Sequence, residues 1–430
     1  MDVLIGLLGC GTVGSGVIDL LAKRADRIEE LTGLRPQITR ILVRDVHKPR
    51  DVNVPPSQLT TQATDILEDP NISVVIETIG GIEPARSFVL AALRAGKHVI
   101  TANKDMIAEY GEEILAAAEK AQVDILFEAA VGGAIPLIRP LKESLTANVI
   151  TELNGILNGT TNYILSKMTS TGAEFADVLQ EAQDLGYAER DPSSDIDGLD
   201  AARKLAILAT IAFQTTVSLD DIQITGIRSI TAADVRYANE LGAVIKLLAT
   251  GCDEGGDVRL QVGPALVEKS HPLARVDDAF NALFIHGDAA GDLMFFGRGA
   301  GSLPTASAIV GDVIEVLRNI RLSVSGRLGA MRMVAKTVNV REPAPTRHFL
   351  RLEVSDKPGV FAQIAAIFAD ANISMESVVQ RRLHEQAAEI AIMTHAISPG
   401  VLKNATLILR DLPDVRFVHS VLPVVQGGNH

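Results

Sequence analysis

Clusters of basic residues are missing from this chain. Its 40 lysines and arginines are outnumbered by 53 aspartates and glutamates, giving a formal net charge of −13. That excludes the electrostatic footprint of a nucleic-acid-binding protein. Long apolar runs are missing too: none reaches the roughly 20 residues that a membrane-spanning helix needs. Cysteine is nearly absent, with only Cys10 and Cys252 far apart in sequence. Two such residues exclude a disulfide framework and fit a reducing, cytoplasmic compartment. The amino-terminal stretch MDVLIGLLGCGTVGSG has no basic leader and soon meets a glycine cluster. It reads as a buried strand rather than a signal peptide. Tryptophan is absent and aromatics make up 4% of the residues, yet 47% are hydrophobic. Large cores can therefore be filled, and 430 residues are enough for about three domains.

The first third of the chain alternates strand and helix. Val3–Leu8 is a short continuous apolar run, as expected of a parallel strand covered on both faces. A helical pattern follows through Ile18, Leu20 and Leu21. Further strands are expected at Gln37–Val43, Ser73–Glu77, Lys97–Thr101 and Val123–Glu128, with helices at Pro84–Arg94 and Asp105–Lys120. This alternation predicts an α/β fold of the Rossmann type, a doubly wound parallel sheet, over residues 1–135. From 136 to 301 the pattern changes to that of a second, α+β domain. It mixes strands (Val149–Leu157, Ala243–Thr250, Val258–Val262) with helices (158–168, 174–185, 198–213). A helix over 302–320, opened by Pro304 and Thr305, is expected to rejoin the first domain. Residues 323–346 read as a linker rich in Gly, Pro and charge. Residues 347–425 read as a separate β-α-β-β-α-β unit, a ferredoxin-like order.

The glycine motif Gly9-Cys10-Gly11-Thr12-Val13-Gly14 follows the first strand and opens a helix. In that context its glycines permit a tight turn and close approach of backbone N–H groups to a pyrophosphate, with the helix N-terminus adding partial positive charge. The second strand ends at Arg44 rather than at an acid. A guanidinium there pairs with a ribose 2′-phosphate, which favours NADP. Asp45 next door keeps NAD possible. Lys104, in Thr101-Ala102-Asn103-Lys104, lies at the carboxyl end of the fourth strand, the edge where ligands bind in open α/β sheets.

Residues 182–209, AQDLGYAERDPSSDIDGLDAARKLAILA, carry the strongest signal. An acidic loop with Glu189, Asp191, Asp195 and Asp197 runs into a helix that carries Asp200 and Lys204 four residues apart, on one face. The same spacing also describes an ordinary surface salt bridge. No histidine stands near these motifs, so a lysine is the available acid. A free lysine titrates near pKa 10.4, and a second lysine close by lowers it through like-charge repulsion. Lys104 and Lys204 are such a pair if the fold brings them together.

Six segments in order, GCGTVGSG (9–16), TANK (101–104), EAAVGGAIP (128–136), GILNGTTNYIL (155–165), LGYAERDPSSDIDGLDAARKLAILA (185–209) and GRGAGSLPTASA (297–308), resemble homoserine dehydrogenase. Residues 347–425, with Asp356-Lys357-Pro358-Gly359-Val360 at the first strand–helix turn, resemble an ACT regulatory domain. With no aspartate kinase region at the N-terminus, the chain looks like the monofunctional long form.

The resemblance implies reversible hydride transfer between L-homoserine and L-aspartate 4-semialdehyde. Lys204 would be the proton donor and acceptor, Lys104 its partner. Glu189 and Asp200 would hold the substrate ammonium, Asp195 would add an acidic contact, and Thr160 within Asn158–Thr161 would line the pocket. Gly9, Gly11, Thr12, Val13, Gly14, Arg44, Thr78, Lys104 and Gly301 would bind the dinucleotide. A monovalent cation such as Na+ would be held by Glu128 and the carbonyls of Val131, Gly133 and Ile135; hard oxygen ligands suit such an ion.

L-Threonine is the implied effector, at Asp356, Gly359 and Asn372. Pairing of the regulatory modules implies a homodimer or homotetramer. A purely structural module is the alternative for residues 347–425. For the whole chain the alternatives are another NADP-dependent dehydrogenase of amino-acid metabolism and a catalytically inactive nucleotide- and amino-acid-sensing regulator.

Overall fold

The computed structural model describes residues 1–326, 333–338, 344–384 and 386–426. Much of the expected linker, 327–332 and 339–343, lies outside the described residues. The chain forms two compact units. The first comprises 1–153, 203–221 and 281–336, and the second 154–202, 222–280 and 337–430.

Along the chain come β1 (Asp2–Leu8), α1 (Thr12–Thr32), β2 (Arg35–Leu42), β3 (Leu59–Thr60), α2 (Thr64–Leu67), β4 (Ile72–Glu77), α3 (Ala85–Arg94), β5 (His98–Thr101), α4 (Lys104–Ala121) and β6 (Ile125–Leu126). These six strands form one sheet in the order β3-β2-β1-β4-β5-β6, with every neighbour parallel. The order reverses between β1 and β4, and such a switch point opens a crevice at the carboxyl edge. The central strands β1 and β4 are buried on both faces, so Val3, Ile5, Leu7, Val74 and Ile76 form the core without polar alternation.

Next come β7 (Ile150–Ile156), α5 (Gly159–Thr171), α6 (Phe175–Asp184), α7 (Ser193–Ile196), α8 (Leu199–Phe213), β8 (Gln223–Ile224), α9 (Ala232–Glu240), β9 (Ala243–Glu254), β10 (Asp257–Glu268), β11 (Phe280–Gly287), β12 (Gly291–Arg298) and α10 (Ser302–Leu322). Ala306, Ile309, Val313, Val316 and Leu317 of α10 enter the first unit's core beside α1. Strands β9 and β10 are longer than the sequence pattern suggests. They form a hairpin around Gly255 and Gly256, whose φ of +65° and +98° give the turn that right-twisted strands require. Strands β11 and β12 form where the sequence pattern predicts none, since short alternation there is broken by Asn281, His286 and Gly287.

The remainder is β13 (Thr337–Val338), β14 (His348–Ser355), α11 (Val360–Asp370), β15 (Met375–His384), β16 (Ala387–Thr394), α12 (Pro399–Arg410) and β17 (Val415–Val425). Four of these strands pair antiparallel in the order β17-β14-β16-β15. Leu350, Leu352, Ile390 and Ile392 pack under α11 and α12 through Ile364, Phe368, Leu402 and Leu409. The β-α-β-β-α-β expectation holds, but the module is not isolated. Its β17 pairs with β10 of the same unit, Leu266 with Val424 and Val267 with Val425. No helix among the described residues is long and apolar enough to cross a membrane.

Candidate active site

The glycine turn divides its labour. Gly9 has φ +104°, and a Cβ there would lie 3.0 Å from the Thr78 carbonyl. A Cβ on Gly14 would come within 2.4 Å of the Gly9 oxygen. Gly11 has nothing within 4 Å of its Cβ position. The first glycine therefore makes the turn, the last lets helix and strand pack, and the middle one leaves the backbone open to a ligand. No side chain caps α1 at Gly11, so its first N–H groups are available to an anion. The Thr78 hydroxyl donates to the Gly9 carbonyl at 3.1 Å, tying the loop after β4 to this turn. Gly301, with φ +121°, caps α10, and the Ser302 hydroxyl donates to the Thr12 carbonyl at 2.7 Å. Thr12 and Val13 open α1, and Arg44 is exposed two residues beyond β2. A dinucleotide fits this donor set.

Glu77, at the end of β4, is a residue that strand periodicity alone does not flag. It is fully buried and accepts from Ile79 N at 2.6 Å, Gly80 N at 3.2 Å and the Thr101 hydroxyl at 2.5 Å. Burial pushes its carboxyl above the ordinary value against these donors. Asn103 N donates to the same Thr101 hydroxyl oxygen, its Nδ2 to the Gly81 carbonyl, and its Oδ1 caps α4 by accepting from Met106 N. This knot fixes the loops after β4 and β5 together and sets Lys104 as the first residue of α4. One residue on, Asp105 forms an ion pair with Arg203 at 3.1 Å. Because Lys204 follows Arg203 on α8, the two lysines stand next to the two partners of one salt bridge. Both are half-buried.

In the second unit, Asn158 caps α5 by accepting from Thr161 N at 2.8 Å. Its Nδ2 donates to Asp195 at 2.7 Å and to Asp200 at 2.8 Å. Asp200 is buried at 6% exposure, one helical turn before Lys204 on α8. The Thr160 hydroxyl donates to the Tyr187 carbonyl at 2.7 Å, which fastens the acidic loop to the start of α5. Glu189 is exposed on that loop. Buried Lys246 holds α5 from below through Asn162, Ser166 and the Val276 carbonyl.

Glu128 is buried and accepts three backbone N–H bonds, from Leu137 at 2.6 Å, Ile138 at 2.8 Å and Arg139 at 2.8 Å. Its own N–H donates to Asp312, whose other oxygen accepts from Arg139 at 3.0 Å. Burial and the Glu128 carboxylate push Asp312 up to about 7. Between Val131 and Ile135, Gly132 and Gly133 have φ +78° and +57°, and a Cβ on Gly133 would strike the Gly299 carbonyl at 2.6 Å. The turn thus packs against the segment leading to Gly301. No group of three or more His, Cys, Asp or Glu side chains that could hold a metal occurs among the described residues. A cation here would depend on backbone oxygen in addition to Glu128.

Family models for the homoserine dehydrogenase NAD-binding domain, homoserine dehydrogenase and the ACT domain match residues 9–128, 136–314 and 348–414. Homoserine dehydrogenase of Bacillus subtilis is 42% identical over 428 residues, covering 99% of each chain. The chain belongs to the homoserine dehydrogenase family. It is accordingly an NAD(P)-dependent oxidoreductase with a carboxyl-terminal ACT domain. A homoserine dehydrogenase crystal structure from Thiobacillus denitrificans superposes with a TM-score of 0.92 at 40% identity, covering 100% of this chain and 99% of that one. A hyperthermophilic archaeal homoserine dehydrogenase in complex with NADPH has a TM-score of 0.63 at 25% identity over 74% of this chain and 98% of that one.

Within the ACT domain Gly359, φ +92°, caps α11, and Asn372, φ +55°, follows its end. Asp356 forms an ion pair with Arg382 at 3.3 Å. Sequence reasoning missed the bridging role of Asn158 and the knot at Glu77. The Asn-Gly-Thr-Thr run signals a helix cap, but not which acids its amide meets.

Proposed function

We propose that the chain interconverts L-homoserine and L-aspartate 4-semialdehyde, with NADP(H) preferred over NAD(H), in a cytoplasmic step of threonine, methionine and isoleucine biosynthesis. The observation that carries this reading is α8. It bears Asp200 and Lys204 one turn apart, with Asp200 joined to Asp195 through Asn158 and Arg203 joined to Asp105 beside Lys104.

When bound, the dinucleotide supplies or takes up a hydride at its nicotinamide ring. Lys204 Nζ gives a proton to the substrate oxygen in reduction and removes it in oxidation, with Lys104 as its partner. Asp200, Asp195 and Glu189 accept hydrogen bonds from the substrate ammonium, and Thr160 orients the same end. Gly9, Gly11, Thr12, Val13 and Gly14 cradle the pyrophosphate, Thr78 and Gly301 flank the nicotinamide half, and exposed Arg44 pairs with a 2′-phosphate. The NADPH complex of the archaeal relative supports that cofactor choice.

We assign dinucleotide binding to residues 1–135 with helix 302–320, substrate binding and dimerisation to 136–301, and regulation to 347–425. A monovalent cation such as Na+ would be held by Glu128 and the Val131, Gly133 and Ile135 carbonyls, where it would stiffen the turn against Gly299. L-Threonine would bind around Asp356, Gly359 and Asn372 of paired ACT domains in a homodimer or homotetramer, its ammonium competing with Arg382 for Asp356.

The test is homoserine-dependent reduction of NADP followed at the nicotinamide absorbance. Lys204→Ala is expected to lose at least about a hundredfold in kcat while its NADPH Kd stays near wild type. Wild-type turnover in that variant would remove Lys204 from proton transfer. Absence of any homoserine-dependent turnover in the unaltered chain would favour the sensing regulator.

A further inference from the structure

We propose that Asn158 is a positioning residue that sets Asp195 and Asp200 for the substrate's ammonium group, an inference that rests on the reading of those two acids given above. The side chain is fully committed. Its Oδ1 accepts from the Thr161 backbone N–H at 2.8 Å and the Thr161 hydroxyl at 2.9 Å. Its Nδ2 donates one hydrogen to Asp195 at 2.7 Å and the other to Asp200 at 2.8 Å. An amide has two donors on nitrogen and two lone pairs on oxygen, so all four positions are used. The cap requires an acceptor toward Thr161, which fixes the nitrogen toward the acids.

The chemistry explains why this residue is asparagine. Two carboxylates drawn close repel one another and need donors between them. A guanidinium or ammonium in the capping position would supply donors but would also add positive charge to that of Lys204 one turn along α8, weakening the pair's attraction for a cationic substrate. An amide supplies donors without charge. Serine or threonine in the same cap would hold the helix and reach neither acid. Glutamine, one methylene longer, is a poor cap. Asn158 is 5% exposed and sits at the mouth of α5, where a rigid helix end serves as the reference for both acids.

The experiment uses the full chain and five proteins: wild type, Asn158→Ser, Asn158→Asp, Asp195→Asn and Asp200→Asn. Serine is a good cap, so Asn158→Ser should keep its fold with little change in Tm, whereas Asn158→Asp keeps the cap but lowers Tm at high pH by adding a third carboxylate beside two others. Asn158→Ser should raise the homoserine KM about tenfold or more, lower kcat by a smaller factor and leave the NADPH Kd unchanged. Asn158→Asp replaces the donor by a third carboxylate and should be worse at about pH 8.5 than the serine variant. As the pH falls toward about 6, the introduced carboxyl takes up a proton and can donate to one neighbour. Its deficit relative to wild type should then shrink, whereas that of the serine variant should not. A merely structural role predicts no such difference.

An unchanged homoserine KM in Asn158→Ser would overturn the proposal. So would equal losses in homoserine KM and NADPH Kd accompanied by a lowered Tm. If neither acid variant moves the homoserine KM, the ammonium reading of Asp195 and Asp200 fails, and the positioning role fails with it. If the acid variants move it and Asn158→Ser does not, only the positioning role fails.

Discussion

Two pairs of carboxylates in the second unit are each bridged by one side chain, and the bridges differ. Asp195 and Asp200 share the neutral amide of Asn158. Asp234 and Glu389 share the guanidinium of Arg351, which donates to Asp234 at 2.7 Å and to Glu389 at 2.7 Å. Arg351 and Asp234 are 3% and 0% exposed, and Ser420, Thr231 and Tyr237 complete the cluster. Buried charge is tolerated when it is paired and hydrogen-bonded. The arginine bridge meets that condition within the protein and fastens the ACT domain to α9. The amide bridge orders its acids without adding positive charge, which suits a site whose cation arrives with the substrate. On the proposed function, the bridging group separates an acid pair that holds the fold from one that would meet the substrate.

The sharpest way to break this contrast is Arg351→Met. It leaves two buried carboxylates facing each other and should cost about 3–5 kcal/mol of stability, read as a lowered denaturant midpoint. Where the variant is still folded, its homoserine KM should stay near wild type. Asp200→Ala is the complementary cut. It should leave stability nearly unchanged and raise the homoserine KM roughly tenfold to a hundredfold, the worth of a charge-assisted hydrogen bond. If Arg351→Met shifted the KM and Asp200→Ala shifted stability, the two bridges would have exchanged roles.

These pairs also mark how far the sequence can be read. The glycine turn, the strand ends at Arg44 and Lys104 and the Asp200–Lys204 spacing are local patterns, visible within a few residues. The antiparallel ACT order is likewise carried by its own alternation of strands and helices. By contrast, Asn158 lies 37 and 42 residues from the acids it bridges, and Arg351 lies 117 from Asp234. Their partnership is decided by tertiary packing, and no periodicity encodes it. Glu77 reads as the last residue of an apolar strand. Only the fold reveals that its carboxylate gathers Ile79, Gly80 and Thr101. The pairing of β17 with β10 escapes notice for the same reason, since an edge strand carries no label for its neighbour.

Acid sharpens the comparison further. Burial alone would raise the Asp234 carboxyl, but the Arg351 guanidinium, the Ser420 hydroxyl and the Thr231 amide together hold it below its ordinary value. A depressed carboxyl contributes stability that is present above the unfolded pKa of about 3.9 and lost as pH falls through the folded value. Acid unfolding of the wild type below about pH 4 should therefore include a step that Asp234→Asn lacks, measured as the pH dependence of the denaturant midpoint. An identical pH dependence in both proteins would mean that Asp234 is not held by this clamp.

The smallest expected effect tests whether the clamp is one bond or a network. The Tyr237 hydroxyl donates to Glu389 at 3.1 Å, and Arg236 reaches the same oxygen at 3.2 Å. Tyr237→Phe keeps the fully buried ring and removes only the hydroxyl. With Arg236 and Arg351 still donating to Glu389, the loss should be about 1 kcal/mol, the net worth of one hydrogen bond. The double variant with Arg351→Met should exceed the sum of the two single losses, because Glu389 would then keep only the half-exposed Arg236 as a donor. Strict additivity would show that the guanidinium works alone and that the hydroxyl is only a spectator beside it.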